Sequence, residues 1–171
     1  MLKSPADALR TDPRFATLVR VDASGDVRSA TFDDHHGFIA EVDIPAAAPP
    51  NVRSAFERSR LCFLYAWFSY ELMVTAELEG FGSLELALKE RLGLPSSKKE
   101  RLPGLRARLA AAVERGFIQP PTVDELGIDL HSMMARLRND LSHGTADVHS
   151  PDMAITVIQW CADVIGELYP K

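Results

Sequence analysis

Residues 61–70, LCFLYAWFSY, are apolar on nearly every side when they are placed on a helix. They lie in the middle of a segment, residues 52–79, whose pattern predicts one long helix that begins after Asn51, a favourable N-cap behind two prolines. In a soluble protein, a helix that is apolar all round is buried within a bundle or against a partner chain. The stretch therefore predicts a helical bundle.

Glycines, prolines and capping residues divide the rest of the chain into further helices. The triplet Gly-Phe-Gly at 80–82 is expected to end the long helix, and Ser83 to cap the next one. The predicted helices that follow span residues 83–92, 105–115, 130–142 and 151–168. The last has the clearest start, because Ser150 can cap it and Pro151 suits its first turn. The sequence thus predicts a mainly α fold, a bundle of four to five helices.

The first fifty residues differ from the rest of the chain. Residues 16–21 and 27–32 favour strands and are separated by a loop-forming cluster, which predicts an antiparallel hairpin. Apolar residues alternate with others over residues 38–44, the period of a third strand with one buried face. We therefore expect a small N-terminal antiparallel β element and a linker in residues 1–50, and the helical bundle in residues 51–171.

The chain has 171 residues, of which 46% are hydrophobic and 25% charged, the composition of an ordinary globular protein. The most apolar stretch, residues 61–76, is shorter than the roughly 20 residues that cross a bilayer, and the N-terminus has no hydrophobic signal segment. We expect a cytoplasmic protein without a membrane partner. Cys62 and Cys161 are interpreted as buried reduced thiols, since two cysteines alone make no metal site.

The net charge of -5 argues against general binding to nucleic acid, but one segment is basic. Between residues 98 and 115, six basic side chains outnumber two acidic ones, a local excess of +4. A basic strip on an acidic body suits an RNA backbone, and a solvated helix face is the plainer alternative. The candidate substrate-binding residues are Lys98, Lys99, Arg101, Arg106 and Arg108.

Residues 136–144 read RLRNDLSHG and are the basis of the functional interpretation. Gly144 marks the C-terminal end of a helix and places His143 in or just beyond its last turn, where the helix dipole favours the imidazolium. Arg138 offers forked donors to phosphate oxygens, but it lies about 140° from His143 around an ideal helix. The two can act together only if the helix end lets the imidazole turn, or if a second chain completes the cleft.

These side chains suit the cleavage of RNA without a metal ion. The imidazole of His143 would remove the proton of a ribose 2′-hydroxyl as that oxygen attacks phosphorus, and Arg138 would neutralise charge in the transition state. The amide of Asn139 would orient the pair. The departing 5′-oxygen needs an acid, and a two-fold dimer would supply a second histidine across its axis. The sequence therefore predicts a homodimer.

The same stretch resembles the signature of the HEPN superfamily, the higher eukaryote and prokaryote nucleotide-binding domains. That signature is an arginine, usually followed by a polar residue, and a histidine four to six residues later. Arg138 and His143 match it with four residues between them, and Asn139 is the favoured polar residue. Members look like small helical bundles with a long apolar early helix, and residues 70–92 are similar to bacterial members. The resemblance covers residues 52–169.

Many HEPN proteins are metal-independent ribonucleases that act as dimers, often as toxins or in defence against phage. The resemblance implies that Arg138 and His143 are a catalytic pair supported by Asn139, that RNA is the substrate, and that no metal or other cofactor is needed. It also implies a cognate antitoxin as a partner to look for. Three alternatives stay open: a HEPN module that binds nucleotide or RNA or serves as a dimerising adaptor without cutting, a helical scaffold without a ligand, and a plain helix end capped by a histidine.

The remaining polar residues are interpreted mainly as structural. The stretch Asp-Asp-His-His at 33–36 contains metal-ligand residue types, but neighbours on an extended chain point in different directions. Glu71 is expected to pair with Arg138 or another arginine, and Asp140 either pairs with Arg138 or faces solvent. His131 and His149 have no suitably spaced partners.

Overall fold

The structure is a computed structural model that describes residues 3–21, 23–95, 103–123, 127–144 and 147–170. Within them the chain is mainly helical and has a two-stranded antiparallel sheet near its N-terminus, as the sequence predicts. The elements in chain order are a 3-10 helix (Pro13–Thr17), β1 (Val19–Val21), β2 (Val27–Ser29), α1 (Phe32–Ala40), α2 (Pro50–Tyr65), α3 (Leu72–Arg91), α4 (Leu105–Glu114), α5 (Leu130–Ser142) and α6 (Pro151–Leu168). No helix in this part of the chain is long and apolar enough to cross a bilayer.

Helix α3 is the central helix of the bundle. It runs antiparallel to α2: Arg58 Nε donates to Glu79 Oε2 at 3.0 Å, and Ser59 Oγ donates to the Ala76 carbonyl at 2.7 Å. It also packs on α6 and contacts α4 and α5. Side chains of α2, α3 and α6 fill the core, among them Phe56, Phe63, Leu84, Leu88, Ile158 and Ile165. Every later helix is therefore positioned by its contacts with α3.

The single long helix predicted over residues 52–79 is wrong, because the structure has a turn between α2 and α3. The N-terminal segment binds backbone groups that this turn leaves without helical partners. The Asp12 amide donates to the Trp67 carbonyl at 2.9 Å, and the Asp12 carboxylate accepts the Tyr70 amide at 3.2 Å. Asp12 lies 58 residues before Tyr70, so no local pattern reveals the turn.

Arg14 keeps the Asp12 carboxylate in its charged form. Its Nε atom donates to Asp12 Oδ1 at 3.0 Å, and this bond lowers the pKa of Asp12 to about 2. The same guanidinium pairs with Glu71 at 2.8 Å, so the arginine partner of Glu71 is Arg14 and not Arg138. These contacts join the N-terminal segment to the start of α3.

The predicted break at the Gly-Phe-Gly triplet is also wrong, because residues 80–82 lie inside α3. A Cβ atom at Gly80 would lie 3.3 Å from Ser59 Oγ on α2 and 3.8 Å from Cys161 Sγ on α6. The missing side chain therefore lets three helices approach closely, and the packing outweighs the roughly 1 kcal/mol by which glycine disfavours a helix. Ser83, the predicted cap, is buried within the same helix and donates to the Gly80 carbonyl.

The third predicted strand, residues 38–44, is wrong as well. Residues up to Ala40 belong to α1, which begins with a reciprocal capping box between Thr31 and Asp34. His35 and Ile39 are the buried residues of this helix, and their spacing of four residues places both on one helical face, whereas Val42 lies beyond the end of α1. The β element therefore consists of the β1–β2 hairpin alone in the described residues, with Val21 paired to Val27.

An aromatic cluster attaches the N-terminal segment to the bundle. His35 of α1 is stacked on Phe63 of α2 with ring centroids 4.6 Å apart, and Phe15 packs edge-on against His35 at 5.2 Å. The ring centroids of Trp67 and Phe15 lie 4.6 Å apart. All four rings are buried, and Phe15, Phe63 and Trp67 belong to the same hydrophobic core as residues of α3 and α6. His35 is thus a core residue rather than a metal ligand.

We expect His35 to make the fold sensitive to mild acid. Its Nε2 atom donates to the Phe63 carbonyl at 2.8 Å, its Nδ1 atom is buried and has no hydrogen-bond partner among the described residues, and burial lowers its pKa. In the unfolded chain His35 is protonated as the pH falls through about 6.5, whereas in the folded chain it is protonated only at lower pH. The free energy of unfolding therefore decreases as the pH falls below about 6.5. His35→Gln should flatten the decline in unfolding free energy between pH 7 and pH 5. His36→Gln, on the exposed side of α1, should keep the wild-type slope, and equal slopes in all three proteins would contradict the expectation.

The three helices at the C-terminal end agree closely with their predicted bounds. α5 and α6 span the predicted residues 130–142 and 151–168, and α4 ends one residue early. Ser150 caps α6 by accepting the Met153 amide at 3.3 Å, as its position predicts. Cys161 is buried and Cys62 only partly so, and both thiols are free.

Candidate active site at the end of helix α5

The predicted catalytic residues lie on the last turn of α5. Asp129 caps the start of the helix by accepting the Ser132 amide at 2.7 Å, and His143 is the C-cap residue. The His143 amide donates to the Asn139 carbonyl at 3.0 Å, and Gly144 follows with a φ of 84°. That left-handed conformation favours glycine and ends the helix at the predicted place.

Arg138 projects from α5 toward α3. Its Nε atom donates to Glu85 Oε1 at 2.6 Å, and its Nη1 atom lies 3.4 Å from Asn139 Oδ1. The Arg138 side chain is 34% exposed, so one edge of the guanidinium is held by the protein while part of it reaches solvent. Asn139 is itself exposed. The first two predicted residues are therefore in contact with each other.

His143 is exposed and lies at the C-cap of α5, five residues after Arg138. Among the described residues, no hydrogen bond or ion pair joins its imidazole to Arg138 or Asn139. An ideal helix turns about 140° over five residues, so helix geometry directs the Arg138 and His143 side chains to different sides of α5. Within one chain, the structure brings His143 to the same helix end as Arg138 without direct contact between the two side chains.

Glu85 of α3 is a site residue that the sequence alone did not single out. One carboxylate oxygen binds Arg138, and the other lies 3.3 Å from Nη1 of Arg108 on α4. Arg108 is buried, and its Nε and Nη1 atoms also donate to the carbonyls of Pro103 and Glu85 at 2.6 and 3.2 Å. The three side chains form a chain of ion pairs across α5, α3 and α4, with a formal sum of +1. Because the partners are 23 and 53 residues apart from Glu85, no spacing rule would find them.

The predicted substrate-binding strip is described only in part. Lys98, Lys99 and Arg101 lie outside the described residues. Arg106 is exposed and lines the same surface pocket as Asp129, the N-cap of α5, so it lies near the start of the helix that ends at His143. Arg108 is different, since its buried guanidinium is bound to Glu85 and to backbone carbonyls. Arg106 is therefore accessible to a phosphate at the surface, whereas Arg108 forms contacts inside the protein.

A second polar pair fixes the connection between α5 and α6. His149 Nδ1 lies 2.6 Å from Oε1 of Glu77, a residue of α3 whose side chain is 0% exposed. The other oxygen, Oε2, is buried and has no hydrogen-bond partner in the described part of the chain. Burial raises the pKa of Glu77, and the bond to His149 opposes that rise. No sequence spacing reveals the partner of His149, because that partner lies 72 residues earlier in the chain.

The remaining polar residues of the sequence hypothesis have structural roles. Asp34 caps α1 and pairs with Arg28 at 2.6 Å. Asp140 is exposed and lies 4.0 Å from Arg136, one turn earlier, so it is not the partner of Arg138. In the described ranges there is no group of three or more histidine, cysteine, aspartate or glutamate residues that could hold a metal ion.

Comparisons of this chain with protein-family models, with curated proteins and with solved structures found no match. Its function is therefore inferred from its own residues.

Proposed function

We propose that the protein is a metal-independent endoribonuclease of the HEPN type that acts as a homodimer. The observation that carries the proposal is the end of α5, where an exposed histidine caps the helix next to an arginine whose guanidinium is held by Glu85. An imidazole can exchange protons near neutral pH, and a half-exposed guanidinium can bind two phosphate oxygens. The two groups together cover the proton transfer and the charge stabilisation that phosphodiester transfer requires.

In the proposed reaction, His143 accepts the proton of a ribose 2′-hydroxyl while that oxygen attacks the adjacent phosphorus. The bond from phosphorus to the 5′-oxygen breaks, which leaves a 2′,3′-cyclic phosphate on one fragment. A second imidazolium donates the proton that the departing 5′-oxygen needs. Arg138 stabilises the added negative charge on the phosphoryl oxygens, and the Asn139 amide offers a further donor beside it.

The dimer is part of the proposal because one chain offers one histidine at this helix end. Helix geometry also separates Arg138 and His143 by about 140° around α5, so a single chain is not expected to direct both side chains at one phosphate. A two-fold axis beside the last turn of α5 would place the arginine of one protomer near the histidine of its partner, and would bring the two imidazoles together. Sedimentation is expected to show a dimer at micromolar concentration.

The direct test is incubation of the purified protein with mixed RNA in excess EDTA. We expect endonucleolytic fragments with 2′,3′-cyclic phosphate ends and 5′-hydroxyl ends. An oligonucleotide with a single 2′-deoxyribose at the cleaved position should resist the cut there, because the attacking oxygen is missing. Fragments with 5′-phosphate ends, or cutting of the 2′-deoxy site, would contradict the proposed chemistry.

The alternative function, a module that binds RNA without cutting it, predicts a different result in the same assay. RNA would be retained intact, and its affinity would fall steeply with salt. Toxin or phage-defence activity, and neutralisation by a cognate antitoxin, belong to the proposal only if cleavage is found. Growth arrest on expression of the wild type, absent for an inactive variant, is the corresponding cellular readout.

A further inference from the structure

We propose that Glu85 is a positioning residue, which holds the Arg138 guanidinium in the orientation that meets phosphate, and that buried Arg108 supplies the charge that makes this arrangement work. The inference rests on the proposed function for what Arg138 does, and on geometry for what Glu85 does.

The orientation argument starts from the contact at Nε. Arginine presents its donors in a rigid fork, so fixing one edge fixes the direction of the others. Glu85 Oε1 takes the Nε edge of Arg138 at 2.6 Å. Both side chains lie between α3 and α5, and Glu85 is 17% exposed, so the contact is well shielded from solvent. The donors at the far edge are left for a ligand in the exposed part of the group.

The charge argument explains why Arg108 is needed. An arginine paired with one glutamate is a neutral unit and attracts phosphate weakly. Glu85 is shared, however, and its second oxygen lies 3.3 Å from Arg108, so the group of three carries a net +1. Arg108 is itself buried and bound to the Pro103 carbonyl, and it therefore acts as a fixed internal charge rather than as a mobile surface contact.

The principal test compares two glutamates of the same helix. Glu79 meets Arg58 through the same kind of contact, Nε to carboxylate at 3.0 Å, on the side of α3 that faces α2. Glu85→Gln is expected to lower kcat for RNA cleavage by roughly 10- to 100-fold with a smaller change in KM, since a misplaced group costs rate more than binding. Glu79→Gln should stay within about twofold of the wild type in both constants.

A double-mutant cycle shows whether Glu85 acts through Arg138. In the Arg138→Ala background, Glu85→Gln should cause no further loss of kcat, because nothing remains to be positioned. Losses that multiply would overturn the proposal by showing that Glu85 acts independently. So would a Glu85→Gln protein that cleaves at the wild-type rate.

A second variant covers the case in which Glu85→Gln unfolds because it leaves Arg108 poorly paired. Glu85→Met combined with Arg108→Met removes the buried charge of Arg108 and the partly buried charge of Glu85 at similar volume, and such replacements are often neutral for stability. This double variant should fold, retain the thermal stability of the wild type and still show the loss of kcat. Wild-type kcat in that folded variant would overturn the inference.

The failure of the inference can be distinguished from that of the proposed function. If the wild type does not cut RNA at all, the proposed function fails. The same double-mutant cycle is then repeated with the Kd for a 2′-O-methyl RNA oligonucleotide as the measured quantity. Glu85→Gln and Arg138→Ala should then weaken binding without adding to each other. Unchanged affinity in Glu85→Gln, alongside weaker binding in Arg138→Ala, would overturn the role of Glu85.

Discussion

Replacing His143 by alanine is expected to slow RNA cleavage by at least about 10³-fold while the protein stays folded. One positioned acid or base typically contributes between 10² and 10⁴ in rate, and in the proposed dimer the substitution removes the base and the acid together. His143 is exposed at a helix end, so the loss of its side chain should shift thermal unfolding very little. The measurement is single-turnover cleavage of a labelled RNA in EDTA, with circular dichroism melting of the same samples.

His36→Ala is the matched control for that substitution, because His36 is also an exposed helical histidine, on α1. It should cleave within about twofold of the wild type, as surface substitutions away from a site usually have small effects. Equal residual activity in His143→Ala and His36→Ala would mean that the histidine of the motif has no part in the reaction, or that the cutting comes from a contaminant.

Mixing wild-type and His143→Ala chains tests the shared cleft. If both histidines of a dimer are needed, an equal mixture that has exchanged subunits should retain about a quarter of the activity per chain, because only the wild-type homodimers cut. Independent chains would retain about a half, which would contradict the composite cleft. The ratio is insensitive to the absolute rate and needs no structure of the dimer.

The parts of this fold that the sequence predicts correctly are those with local causes. Ser150 and Pro151 start α6 through contacts within one turn, and Gly144 ends the α5 segment through its own φ. The turn between α2 and α3 has a distant cause, since its backbone groups are bound by Asp12. Gly80 led to a wrong prediction because a glycine locally favours the end of a helix, whereas in the structure it allows close contact between three helices.

The residues of the candidate site also differ in whether the sequence alone can predict them. The spacing of Arg138 and His143 is readable in the sequence because both residues lie on one helix, and the structure places them at its end. Glu85 and Arg108 become visible only when α3, α4 and α5 are packed together. Composition correctly indicates a basic segment, but it does not separate exposed Arg106 from buried Arg108, because burial depends on which face each helix turns to its neighbours.

Replacing His149 by alanine is expected to destabilise the fold by about 3–5 kcal/mol at neutral pH, the usual cost of removing one partner from a buried ion pair. Glu77 is fully buried, and one of its oxygens has no partner within the described ranges even in the wild type, so the loss of the 2.6 Å bond would leave its carboxylate without a compensating hydrogen bond. Urea unfolding followed by circular dichroism measures the effect.

Two variants serve as controls for His149→Ala. His131→Ala loses a ring contact to Trp160 and no carboxylate bond, and the double variant Glu77→Leu with His149→Leu removes both polar groups. Each should be less destabilised than His149→Ala.

The pH dependence of the same variant identifies the cause. Burial raises the pKa of Glu77 above its usual value of 4.5, so the folded state keeps that proton to a higher pH than the unfolded state does, and stability is lost as the pH rises through that window. His149 limits the loss by lowering the pKa of the carboxyl again. Without His149 the window extends further upward, and the gap in unfolding free energy between wild type and variant should be small near pH 4 and should widen toward pH 7. A difference in unfolding free energy that does not change with pH would show that His149 stabilises the fold by packing and not by its bond to the Glu77 carboxylate. The connection that follows the proposed catalytic histidine would then be held by packing alone.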